Sequence, residues 1–215
     1  MTLALPALYP IVNLAGSNEE ARLRAKDLAT TLAAAGATLL QIRAKELATG
    51  PFVDLASWLV ERLTALDCRL IVNDRTDIAL AAAAAGVHLG GDDMPVATAR
   101  RILGPGALIG FSTHDDREVR SICGSETARC LDYLAFGPVF ESPTKAGVRQ
   151  ARGVDGLAAA CASASLPVVA IGGVTLVRAP SLWAAGAASA AAISELESSD
   201  DPATLPSAWE LSRKS

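Results

Sequence analysis

The chain has 215 residues, 51% of them hydrophobic but only 4% aromatic, and a formal charge of −4. That length suits one large α/β domain, and a core made from Ala, Val, Leu and Ile suits Ala-rich helices packed on β-branched parallel strands. A net acidic chain argues against nucleic acid as the main partner, and the longest apolar stretch, Ile78–Val87, falls far short of the roughly 20 residues that span a membrane. Cys68, Cys123, Cys130 and Cys161 are scattered with no Cys-x-x-Cys pair, so reduced, mostly buried thiols are expected. Met1–Pro10 lacks the basic and apolar segments of a signal peptide, which makes a cytoplasmic protein the expectation.

Short runs rich in Val, Ile and Leu recur along the chain. They predict strands at Leu8–Asn13, Thr38–Ile42, Arg69–Val72, Gly86–Leu89, Leu108–Phe111, Tyr133–Phe136, Val168–Ile171 and Ala190–Ile193. Helical periodicity lies between them, at Glu19–Ala35, Phe52–Leu66, Asp77–Ala85, Pro95–Leu103 and Leu157–Ser163. Eight strands alternating with helices predict an α/β fold, a single (β/α)8 TIM barrel over residues 1–196. The alternative, an open doubly wound sheet, would normally show a Gly-rich turn after its first strand, and Asn13-Leu14-Ala15-Gly16 is not one. The polar tail, 197–215, is expected to belong to the same domain and to end in a short helix around Trp209.

In such a barrel, chemistry gathers where strands run into the loops that follow. The second strand ends in Gln41, Arg43 and Lys45, a donor and two cations whose alternation points them the same way. Asn73 and Asp74 follow the third strand, and Asp93 follows the fourth, nineteen residues beyond Asp74. If the third and fourth strands are neighbours, the two carboxylates sit side by side. That is a hard oxygen site suited to magnesium, which usually also takes substrate phosphates. The competing reading of Asp74 is a cap on the helix that begins near Thr76.

Later strand ends carry Ser112 and His114, a long loop Gly137–Lys145, the pair Gly172-Gly173, and Ile193-Ser194. Glycines let a backbone approach an anion, and barrels often seat a phosphate on the loops after strands seven and eight. Arg43, Lys45 and Lys145 can hold a second anionic group near the metal, although each is also a residue type common on surfaces. His88 reads as packing and His114 as a supporting or capping residue. Two anion sites predict two phosphorylated substrates, or one long one.

The ordered set Gln41-Ile-Arg-Ala-Lys45, Val72-Asn-Asp-Arg75, Gly86-Val-His-Leu-Gly90, Asp93, Gly110-Phe-Ser-Thr-His114, Asp132–Phe140, Thr144-Lys145, Ala170-Ile-Gly-Gly173 and Ile193-Ser194 resembles the thiamine-phosphate synthase family. The resemblance runs from Leu8 to Leu196. It implies a magnesium-dependent transferase that joins a pyrimidine diphosphate to a thiazole phosphate (or its carboxylated form) by dissociative loss of diphosphate. By matching position, Asp74 and Asp93 would hold magnesium. Gln41, Arg43, Lys45, Asn73 and Lys145 would bind the diphosphate. Ser112 would contact the pyrimidine, and Ser142, Thr144, Gly173, Ile193 and Ser194 would enclose the thiazole phosphate. Arg43, Lys45, Ser112 and Lys145 are the implied catalytic set.

The chain departs from the family pattern at Ala44, Gly91, Ser142 and Gly186–Ser189. No metal ligand or phosphate cation is lost in these departures. The expected partners are small-molecule substrates, with no nucleic acid and no membrane, and a homo-oligomer is left open. Rival readings are a thiazole tautomerase on the same barrel and a non-catalytic thiamine-phosphate sensor. Product formation from both substrates separates the three.

Overall fold

A computed structural model describes residues 5–141 and 150–214. Eight strands close into an all-parallel barrel in the order of the chain. They are β1 (Leu8–Asn13), β2 (Leu39–Arg43), β3 (Arg69–Asn73), β4 (Gly86–Leu89), β5 (Leu108–Thr113), β6 (Tyr133–Phe136), β7 (Val168–Ile171) and β8 (Ser189–Ala192). The connecting helices are α1 (Glu19–Ala34), α2 (Thr49–Thr64), α3 (Thr76–Ala81), α4 (Val96–Leu103), α5 (Asp116–Cys123), α6 (Gly153–Ser163), α7 (Ala179–Ala184) and the single turn α8 (Ser194–Glu197). The tail ends in α9 (Leu205–Lys214). Among the described residues no helix is long and apolar enough to cross a membrane.

Alternation along each strand divides the buried side chains into two cores. Leu8, Val12, Leu40, Ile42, Leu70, Val72, Val87 and Ile109 face outward into the layer shared with the helices. Tyr9, Ile11, Leu39, Ile71, Leu108, Tyr133, Ala135, Val169 and Ala191 fill the barrel itself. Two tyrosines in so small an interior require small neighbours. A Cβ at Gly110 would lie 2.1 Å from the Tyr133 ring, so only glycine leaves space for that side chain at this point in β5.

Element boundaries differ from the predicted ones where local chemistry outweighs periodicity. Strand β5 runs on to Thr113, which pairs with Phe136 and donates its hydroxyl to the Ala135 carbonyl at 2.9 Å. Strand β8 begins at Ser189, paired with Val169, and stops before Ile193, whose backbone turns toward the helical region (φ −119°, ψ −71°). Helix α2 starts at Thr49, ahead of Phe52, because Pro51 is tolerated in a first turn. Helix α3 ends at Ala81, since Ala83 adopts a left-handed conformation (φ 52°) that cannot continue a helix.

The tail is less polar in place than its composition implies. Trp209 of α9 is fully buried and packs edge-on against Trp183 of α7, with ring centroids 6.0 Å apart. Glu210 accepts a hydrogen bond from Ala7 N–H at 2.7 Å, and Arg213 donates to the carbonyls of Leu5 and Ala188. Helix α9 therefore braces the entrance to β1, at the end of the barrel opposite the strand-end loops.

Candidate active site

The loops after β2, β3 and β4 bring together the charged residues read from sequence. Asp74 N–H donates to the His88 carbonyl at 2.8 Å, which fixes the end of β3 against β4. To do so Asp74 adopts a left-handed conformation (φ 63°), one that aspartate tolerates better than most residues and that clusters at functional sites. The residue at the start of α3 is Arg75, and no side chain caps it, so the capping role considered for Asp74 is not the one it plays.

Asp93 folds back over a tight turn in which its Oδ2 accepts from Gly90 N–H at 2.7 Å. Burial, and then the Asp74 carboxylate beside it, push the Asp93 carboxyl above its ordinary range, against the pull of the Gly90 N–H. Lys45 Nζ lies 3.2 Å from Asp74 Oδ2. Asp92, the neighbouring acid, is exposed.

A carboxylate whose charge is disfavoured first by burial and then by a neighbouring acid forms, with that neighbour, a site that a divalent cation would stabilise. Among the described residues no three His, Cys, Asp or Glu side chains form such a group. A pair is nevertheless the usual protein share for magnesium, which keeps waters and takes substrate phosphate oxygens. The donor set fits that ion.

Arg43 and Asn73 complete this side. Arg43 donates to Asn13 Oδ1 at 2.6 Å, across the β1–β2 pairing, and Asn73 is buried at the end of β3. With Lys45, Asp74, His88, the Gly90–Asp93 turn and Ser112, they line a cavity of about 810 Å³ that extends to Arg117 and Ser121 of α5. Gln41 is separated from this group. It is 2% exposed, inside the barrel, and its amide donates to the Tyr9 hydroxyl at 3.1 Å.

A second, narrower cavity of about 140 Å³ lies over β6–β8, lined by Pro138, Phe140, Ile171, Gly172, Gly173, Val174, Ile193 and Ser194. Here the backbone does the shaping. Val139 and Phe140 N–H groups donate to the carbonyls of Ile171 and Gly172, both at 2.9 Å, lacing the β6 loop to the end of β7. Gly173 has φ 60°, and a Cβ there would lie 2.4 Å from the Glu141 carbonyl oxygen, so the position is restricted to glycine. Arg178 sits 4.6 Å above the Phe140 ring and donates to the Gly173 carbonyl at 2.6 Å. Glu195 accepts from Leu176 N–H at 3.0 Å, joining the β7 and β8 loops.

Ser112 and His114 line both cavities. His114 donates from Nδ1 to the Gly137 carbonyl at 2.9 Å, and its backbone N–H is held by Glu118 at 2.7 Å. His88, read from sequence as packing, bonds through Nε2 to Ser112 Oγ at 2.9 Å. On β4 it alternates with Val87 and Leu89, which pack outward, and this places it on the inner face of the barrel. Ser142, Thr144 and Lys145 lie outside the described residues.

The order and spacing of these groups match a known family. The family model described as thiamine monophosphate synthase covers residues 8–196. The chain belongs to that family. It is 41% identical over 169 residues to a putative thiamine-phosphate synthase of Geobacter sulfurreducens, covering 79% of this chain and 78% of that one. It is 38% identical over 170 residues to a thiamine-phosphate synthase of Leptospira biflexa, covering 79% and 81%.

Among solved structures, the thiamine phosphate pyrophosphorylase of Pyrococcus furiosus superposes with a TM-score of 0.80 at 28% identity, over 96% of this chain and 95% of that one. A 3-hexulose-6-phosphate synthase shares the fold, with a TM-score of 0.69 at 17% identity over 96% and 99% of the two chains.

Proposed function

We propose that the chain is a thiamine-phosphate synthase. It would join 4-amino-5-hydroxymethyl-2-methylpyrimidine diphosphate to 4-methyl-5-(2-phosphooxyethyl)thiazole, or its carboxylated form, giving thiamine phosphate and diphosphate, with carbon dioxide also released from the carboxylated form. The observation that carries this reading is the meeting of two chemically opposite cavities at Ser112 and His114. One offers cations and carboxylates for a diphosphate with its ion. The other offers an apolar wall for a thiazole ring and glycine backbone for its phosphate.

In this reading the bond between the pyrimidinylmethyl carbon and the diphosphate oxygen breaks, and both electrons leave with the oxygen. Arg43 and Lys45 face the charge that develops on the leaving group, and Asn73 supplies a buried donor. Asp74 and Asp93 would hold magnesium, which when bound neutralises charge on the departing diphosphate. The lone pair of the thiazole nitrogen then forms the new carbon–nitrogen bond. No side-chain nucleophile takes part.

Pro138, Phe140, Ile171 and Ile193 orient the thiazole, and Gly173 and Ser194 are assigned to its phosphate. Lys145, Ser142 and Thr144 keep the roles implied by resemblance, in diphosphate departure and thiazole binding. Gln41 acts on the site from below, through Tyr9. The four free cysteines suit a reducing, cytoplasmic setting, and the partners are the two substrates.

The experiment is direct. Purified protein is given both phosphorylated substrates, with and without magnesium, and thiamine phosphate and diphosphate are followed together. Equal amounts of both products, formed only with magnesium, are expected. Thiazole isomerisation without condensation would move the chain to a tautomerase role. Neither activity in folded protein would favour a sensor.

A further inference from the structure

A hydrogen-bond chain crosses the barrel interior and ends at the junction of the two cavities. It runs from Gln41 Nε2 to the Tyr9 hydroxyl (3.1 Å), to the Tyr133 hydroxyl (2.9 Å), to His88 Nδ1 (3.1 Å), and from His88 Nε2 to Ser112 Oγ (2.9 Å). The members are held rigidly. The two tyrosine rings meet edge to face at 5.9 Å, and His88 stacks on Tyr133 at 5.6 Å. Gly110 leaves the space that Tyr133 fills.

The direction of this chain follows from its first member. The Gln41 amide nitrogen can only donate, so the Tyr9 oxygen accepts there. Tyr9 is 1% exposed, and its proton must find an acceptor or remain buried without one, a costly state. Tyr133 is the other partner within reach, so Tyr9 donates to Tyr133. Burial raises the pKa of both phenols, so each keeps a proton to pass on. The Tyr133 proton then goes to His88 Nδ1. A neutral imidazole with an accepting Nδ1 carries its hydrogen on Nε2, and that hydrogen is donated to Ser112 Oγ. With a lone pair of Oγ so engaged, the Ser112 hydroxyl hydrogen is directed into the cavity.

We propose that Gln41, Tyr9, Tyr133 and His88 act as positioning residues that commit Ser112 to being a hydrogen-bond donor, so that it recognises an acceptor atom of the bound substrate. An unprotonated aromatic ring nitrogen has that chemistry. The substrate part of this inference rests on Ser112 facing the pyrimidine. The hydrogen-bond direction does not.

The chain contains two histidines, and geometry assigns them opposite tautomers. His114 must carry its hydrogen on Nδ1, because it faces a carbonyl oxygen, whereas His88 must carry it on Nε2. Long-range ¹H–¹⁵N correlation of the histidine-labelled full chain reads this, with His114→Asn used for assignment. Expected is one tautomer of each kind, with His88 bare at Nδ1. A His88 ring protonated at Nδ1, alone or at both nitrogens, would overturn the proposal, because Ser112 would then be placed by a different pattern.

Tyr133→Phe removes the donor to Nδ1. It should give His88 a mixture of tautomers and raise KM for the pyrimidine diphosphate roughly 2- to 10-fold, leaving KM for the thiazole phosphate unchanged. An unaltered pyrimidine KM in a folded variant would refute the recognition role. The wild-type spectrum decides the direction even if that variant does not fold. A correct His88 tautomer in a chain that makes no thiamine phosphate would keep the relay and sink the synthase reading instead.

Discussion

The two halves of the barrel mouth solve opposite problems with different parts of the chain. Over β2–β4 the work is done by side chains: Arg43, Lys45, Asp74 and Asp93 surround a roomy cavity, which in the proposed reading an ion and a diphosphate would complete. Over β6–β8 it is done by backbone and shape. The Gly137–Glu141 segment is laced to Ile171–Gly173, and the cavity is narrow and largely apolar. Because each strand end is followed by its own loop, one closed sheet can carry both environments a few residues apart. Substitutions in the first half should therefore damage catalysis, and those in the second should damage binding of one substrate.

The largest expected effect is at Asp93. Asp93→Ala should lower kcat by roughly 10²- to 10³-fold, the scale of losing one aligned electrostatic group, with an unchanged thermal midpoint. Near-normal turnover with normal magnesium dependence would remove Asp93 from the ion site and break the division of labour.

Gly173→Ala comes next. Forcing a Cβ against the Glu141 carbonyl at a left-handed position costs about 1–3 kcal/mol. Steady-state kinetics should show that loss as a raised KM for thiazole phosphate, with KM for the pyrimidine diphosphate unmoved. A change confined to the pyrimidine would reverse the assignment of the halves. Arg178→Ala, which loses the Phe140 contact and the Gly173 hydrogen bond, should act on the same parameter but weakly, at about 0.5–1 kcal/mol for an exposed cation–π pair.

The smallest effect lies away from the mouth. Burial pushes the Cys68 thiol up to about 12 from its ordinary 9, so the folded state holds that proton more tightly than the unfolded chain. The associated stability is complete below pH 9 and is lost as pH rises toward 12. Denaturant melts across that range should show the decline in wild type and a shallower one in Cys68→Ala. An identical decline in both would mean that the thiol has no part in it.

These two halves were not equally legible. The strands announce themselves as apolar runs, so the barrel and its mouth follow from the order of elements, and the adjacency of Asp74 and Asp93 follows from neighbouring parallel strands. What the sequence hid depends on closure. Gln41, placed with Arg43 and Lys45 by simple alternation, meets Tyr9 thirty-two residues away inside the barrel, and Tyr9 meets Tyr133 across 124 residues.

No local pattern marks such contacts, and a lone histidine such as His88 gives no hint of its partners. The second cavity was half legible: Gly172-Gly173 and Ile193-Ser194 read as an anion site, but the apolar wall of Pro138, Phe140, Ile171 and Val174 forms only when the β6 and β7 ends are brought together. The tail's helix around Trp209 was legible, but how deeply that tryptophan is buried was not, because its polar neighbours dominate the local composition.

The most direct test of the two-sided site is calorimetric binding of thiazole phosphate to wild type, Asp93→Ala and Gly173→Ala in the presence of magnesium. The account predicts equal affinity for wild type and Asp93→Ala and a clear loss for Gly173→Ala. Weakened binding in Asp93→Ala with normal binding in Gly173→Ala would contradict it.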